Sequence, residues 1–152
     1  MVGVNWESVL TSAITAIVFT GGTSYILQKK TRKGNEITAK GFILIDEIES
    51  INQKRHKATV PLLVDGFSTE QLEKCRIDYL KDLQKFESVV RKYSFLFDKK
   101  TNKELQDFIS YLRELERELL NLIDDKVVSL NINNQKIDSL CKTIVSRIQK
   151  HM

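Results

Sequence analysis

Glu114, Glu116 and Glu118, interleaved with Arg113 and Arg117, form a dense run of carboxylates and guanidiniums, and neighbouring carboxylates can serve as general acid and base. A helix would point these side chains in different directions. Pairing with arginine three or four residues away on a water-exposed face is then their expected use. His56 stands in the charged run 54–57 and His151 is next to the last residue, positions that predict solvated rings rather than a general base or a metal ligand. Cys75 and Cys141 are far apart and belong to no CxxC or Cys/His cluster. Both fall on or beside apolar stripes, where a thiol packs as a small hydrophobe. No HExxH, glycine-rich phosphate loop or nucleophile motif occurs in the sequence. The expectation is a non-enzymatic chain with no catalytic residue, metal ligand or cofactor.

The informative pattern is apolar and helical. Leu105, Phe108, Leu112, Leu115, Leu119 and Leu122 alternate spacings of three and four for nearly three heptads, the signature of a coiled-coil seam that another helix must cover. The covering helix is expected just upstream. Ser68 and Gln71 make a capping box, and Leu72, Tyr79, Leu83, Phe86, Val90, Tyr93 and Phe97 then mark one face, with Cys75 or Arg76 at the intervening turn. A short turn at 98–101 folds this helix back antiparallel on the third, for which Thr101 and Glu104 repeat the capping-box pattern. An earlier helix is expected over about 36–57, carrying Ile37, Gly41, Leu44, Ile48 and Ile51, widened by Phe42 and Ile45 and started by the Gly34–Asn35–Glu36 break. A last one covers about 134–150, with Ile137, Leu140, Cys141, Ile144, Val145 and Ile148 on one side. No strand-like alternation of useful length competes.

The N-terminal region reads differently. From Val9 to Leu27 there are 19 residues without a charge, about 28 Å as a helix and close to the thickness of a bilayer's hydrocarbon core. Eight are Leu, Ile, Val or Phe and eight are Ser, Thr or Gly. The apolar set contributes about −2 to −5 kcal/mol toward insertion, partly offset by the rest. Trp6 and Tyr25 sit near the two ends, and Lys29, Lys30, Arg32 and Lys33 follow as a cluster suited to anionic head groups. The positive-inside rule then predicts a single-pass span in the cell membrane, N-terminus outside, with membrane lipid as a partner. Ser12, Ala16, Thr20 and Ser24 recur every fourth residue and make a candidate packing stripe between membrane helices.

Net charge is +4, with basic segments at 28–57 and 126–152 flanking an acidic middle. The part after residue 34 is close to neutral and carries no recognised nucleic-acid module, so nucleic acid is not expected as a partner. Together these features predict an all-α protein: a transmembrane anchor with a basic flank at 1–33, and at 34–152 a cytoplasmic antiparallel bundle or coiled coil of about four helices. The expected role is a membrane-anchored interaction, scaffold or regulatory protein, working as a homo-oligomer or with a protein partner. A membrane-perturbing effector whose bundle controls oligomerisation is the alternative, and a membrane tether for nucleic acid the second. The layout resembles, in general terms, small single-span proteins of bacteria and their phages, a likeness of composition that covers no motif.

Overall fold

The computed structural model describes the backbone of residues 6–64, 66–124 and 133–152, with side chains from residue 28 onward. Among them are four α-helices: α1 (Trp6–Leu63), α2 (Thr69–Tyr93), α3 (Lys99–Ile123) and α4 (Asn134–His151), with a 3-10 turn, Ser94–Leu96, between α2 and α3. The described chain is all-α. It divides into two units, Met1–Ile37 and Thr38–Met152. In the first, the described side chains at 28–36 are exposed. The second is a four-helix bundle.

Neighbouring helices in the bundle run antiparallel, as the pairs between them show. Glu47 and Lys54 of α1 meet Lys85 and Asp82 of α2. Arg76 and Glu87 of α2 meet Glu116 and Arg113 of α3, and Glu104 of α3 meets Arg147 of α4. Thr38 donates to the carbonyl of Met152 at 3.2 Å while Asn52 reaches Asp138 at 3.1 Å, which closes the ring between α4 and α1. The topology is up-down-up-down with short connections.

Local chemistry explains the boundaries. Ser68 accepts from the Gln71 amide at 3.2 Å and the Gln71 side chain accepts from the Ser68 amide at 2.9 Å, so α2 starts with a complete capping box. For α3 the capping residue is Asp98, whose carboxylate accepts from the Thr101 amide at 2.7 Å. Thr101, expected as the cap, is instead buried inside the first turn. A carboxylate at this position satisfies an orphan amide and faces the positive end of the helix dipole, which favours Asp98 over a hydroxyl three residues later. Gly66, at φ +105°, supplies the left-handed turn between α1 and α2. α1 passes through Gly34 without stopping and carries Pro61 in its last turn, where the missing N–H removes one ladder bond.

The core is one apolar column. Leu44 and Ile48 of α1, Leu83 and Phe86 of α2, Leu105 to Leu119 of α3, and Ile144 and Ile148 of α4 have no exposure to solvent. Phe86 and Phe108 meet edge to face at 5.8 Å. At one end a Cβ on Gly41 would stand 2.8 Å from the Met152 sulfur, so glycine here lets the last residue of the chain lie on α1.

One expectation is overturned. Among the described residues no helix is long and apolar enough to cross a membrane. The anchor at 1–33, its lipid partner, and the single-pass cell-membrane address with the N-terminus outside are therefore withdrawn, and so are the membrane-anchored role and both membrane-dependent alternatives. Composition supplies the physical reason. The charge-free run from Val9 to Leu27 has as many Ser, Thr and Gly residues as Leu, Ile, Val and Phe residues, so its length fits a bilayer better than its apolarity does. The expected packing stripe, Ser12, Ala16, Thr20 and Ser24, lies outside the residues whose side chains are described. Lys29, Lys30, Arg32 and Lys33 are exposed on α1.

Candidate functional site

Arg55 is the least expected side chain in the bundle, because its guanidinium is wholly buried. It lies on the inner face of α1, in step with Leu44, Ile48, Ile51, Ala58 and Leu62. An isolated cation there would be strongly destabilising, so its donors must find partners. They do. Nε donates to Asn52 Oδ1 at 2.9 Å, Nη1 to Asn134 Oδ1, and Nη2 to Asp138 Oδ1 at 2.6 Å. Nη2 also lies 2.9 Å from His56 Nε2, and the same ring nitrogen is 3.1 Å from Asp138 Oδ1. The Asn52 amide nitrogen adds a third contact to that carboxylate oxygen, at 3.1 Å. The cluster therefore joins α1 to the first turns of α4 through charge-assisted bonds.

Its electrostatics follow from the same contacts. Burial alone would raise the Asp138 pKa, but the Asn52 hydrogen bond and the charges of Arg55 and His56 together hold it below the ordinary carboxylate value. Burial pushes the Cys141 thiol up to about 11, aided by Asp138 and Glu49 and opposed by Arg55 and Lys142. Tyr79 is also raised, by burial first, with Arg55 opposing and Glu116 adding. Its hydroxyl donates to the Leu112 carbonyl at 3.1 Å. Cys75 is raised by burial and by Asp78. Neither thiol is thus poised as a nucleophile.

The other sequence candidates lie elsewhere in the bundle. Leu105, Phe108, Leu112, Leu115 and Leu119 are fully buried on α3, and Leu122 is half-buried near its end. The charged run that looked most like chemistry lies on α3 and finds its partners on both α2 and α3. Glu116 pairs with Arg76 at 3.2 Å, and Arg113 reaches across to Glu87 at 2.6 Å. Glu114 takes the expected local partner, Arg117, at 3.4 Å. The Arg76 and Arg147 Nε atoms stand within ion-pair reach of their carboxylates without an aligned hydrogen bond. His151 lies 3.6 Å from Asp98. Among the described residues no group of three or more His, Cys, Asp or Glu side chains is placed to hold a metal ion.

Sequence reasoning treated Arg55 as part of a solvated basic run, although the signal needed to find it was present. The spacings from Ile37 through Gly41, Leu44, Ile48 and Ile51 alternate four and three, and the next step lands on residue 55. What that spacing could not supply was the partner, because Asp138 lies 83 residues away. A second missed feature is on the opposite side of α1. Phe42, Val60 and Leu63 are exposed by 57%, 44% and 64%, Phe42 toward one end of that face and the other two toward the far end.

Four antiparallel helices around an apolar column, tied by a buried arginine cluster, define an all-α helical-bundle protein. The chain belongs to the family of the "Uncharacterized protein YqaR" of Bacillus subtilis (strain 168), with which it is 48% identical over 155 residues spanning the whole of both chains. No family model matches the sequence, and no solved structure matches it.

Proposed function

We propose that the bundle is a non-enzymatic interaction module that binds protein through the outer face of α1. The observation that carries this reading is the exposure of Phe42, Val60 and Leu63 on a helix whose inner face is already filled. Leaving such side chains in water forgoes the free energy of burying them, about 1.5–3 kcal/mol each, and a docked partner would recover it. The interhelical grooves support the same reading. The one between α1 and α2, lined by Lys54, Lys57, Cys75, Asp78, Tyr79 and Asp82, is open, and its Lys54 is already paired with Asp82.

The test is a photo-crosslinking amino acid at Val60, activated in cells expressing the full chain. Protein adducts are expected there, and fewer when Leu63→Glu is added. An adduct pattern no different from that of a crosslinker at the exposed polar position Lys81 would remove the reading.

A further inference from the structure

The outer face of α1 carries a second heptad register. Beginning at Ala39 and Phe42 and stepping alternately by four and three, every position as far as Val60 and Leu63 is exposed. The stripe is about 36 Å long at 1.5 Å per residue, and no described helix of the chain covers it. Its chemistry is ordered. Apolar side chains stand at the two ends, Asp46 and Glu49 follow in the first half, and Gln53 and His56 occupy the second.

That order is self-complementary in one direction only. In a parallel pair of α1 helices Asp46 would face Asp46 and Glu49 would face Glu49, an arrangement like charges oppose. In an antiparallel pair centred near Ile51, Phe42 meets Val60 of the second copy and the small Ala39 meets Leu63. Asp46 then meets His56, beside the exposed Lys57, and Glu49 meets Gln53. Each of these pairs matches one class of seam position with the other, as antiparallel coiled coils require. The His56 ring is also suitably turned: Nε2 faces Arg55 and Asp138, which leaves Nδ1 for a carboxylate arriving from outside.

We propose that the partner of this face is a second copy of the chain, paired antiparallel along α1 about a two-fold axis near residue 51. This deepens the interaction-module reading and rests on it. The contact is isologous, so every pair occurs twice, and a single substitution changes both copies at once. The buried arginine cluster fixes the register of α1 against α4, which holds the seam straight from behind.

Sedimentation equilibrium of the full chain tests this. The unaltered chain is expected to dimerise. Gln53→Glu, which sets like charges opposite each other at two places, should weaken the dimer about tenfold, and Gln53→Lys should tighten it about tenfold. Glu49→Lys added to Gln53→Glu restores opposite charges at both places and should make the dimer about as tight as that of Gln53→Lys. Glu49 and Gln53 are exposed, so the circular dichroism spectrum of the fold should stay unchanged in all three variants. A dimer indifferent to these changes, or a rescue that fails, overturns the pairing. A chain that remains monomeric yet keeps its Val60-dependent adducts to other proteins also overturns it, while leaving the interaction module standing. A monomer without adducts removes both.

Discussion

A guanidinium shut away from water is tolerated because Asn52, Asn134, His56 and the Asp138 carboxylate surround it, and removing each partner has a different cost. Asp138→Ala leaves Arg55 buried without its anion, which should destabilise the bundle by about 2–3 kcal/mol. That is less than for a fully enclosed pair, since the Asp138 side chain is 34% exposed. Arg55→Met removes the charge and keeps much of the volume, so it should cost clearly less. Urea midpoints for the two variants check this ordering, and equal losses would mean that packing rather than charge governs the site. The cluster also predicts a pH dependence. Asp138 has a folded pKa below its unfolded value of about 3.9, so its stabilisation is fully present above that value and is lost as pH falls through the lower folded one. Asp138→Asn should therefore flatten the acid limb of the stability curve below about pH 4, with little further change between about pH 5 and 7.

Among the elements, α3 starts on one side-chain cap. Its cap is a single carboxylate, held below the ordinary value by its hydrogen bonds to Thr101 and, after those, by His151. Asp98→Ala should lower the melting temperature by several degrees, as the loss of such a cap usually does. Ser68→Ala should have a similar effect at α2, because it removes one bond of a reciprocal pair. Thermal melts separate these from Lys99→Ala, which touches no cap and should change little. α2 and α4 lie close against α3. α1 adds Leu44, Ile48, Ile51 and Leu62 to the core and is tied to its neighbours further out by Arg55, Lys54 and Lys85.

For the whole molecule, one apolar column must carry the stability of Thr38–Met152. Leu112 is its test position, fully buried and next to the carbonyl that Tyr79 uses. Leu112→Ala should cost about 3 kcal/mol, and Leu112→Asp should abolish cooperative melting, because a carboxylate cannot be hydrated in that column. A sharp transition retained by Leu112→Asp would show that α3 is not the centre of the bundle.

The amino-acid order was enough for whatever depends on near neighbours. It announced helices rather than strands, the capping box at Ser68 and the antiparallel return of α2 on α3, since all of these rest on spacings of a few residues. It misjudged the cap of α3 by three residues, because Asp98 and Thr101 are both good caps and only the finished turn distinguishes them. It also lent the N-terminal run more apolarity than its serines, threonines and glycines allow. Tertiary structure alone decided which charges are structural. Arg55 reads as solvated until Asp138, Asn134 and Asn52 close round it, and Glu116 reads as a local partner until Arg76 arrives from another helix. The same packing turned Phe42, Val60 and Leu63 outward by giving the inner face of α1 to Leu44, Ile48 and Leu62. Burial and ion pairing belong to the fold because they join residues that the chain keeps dozens of positions apart.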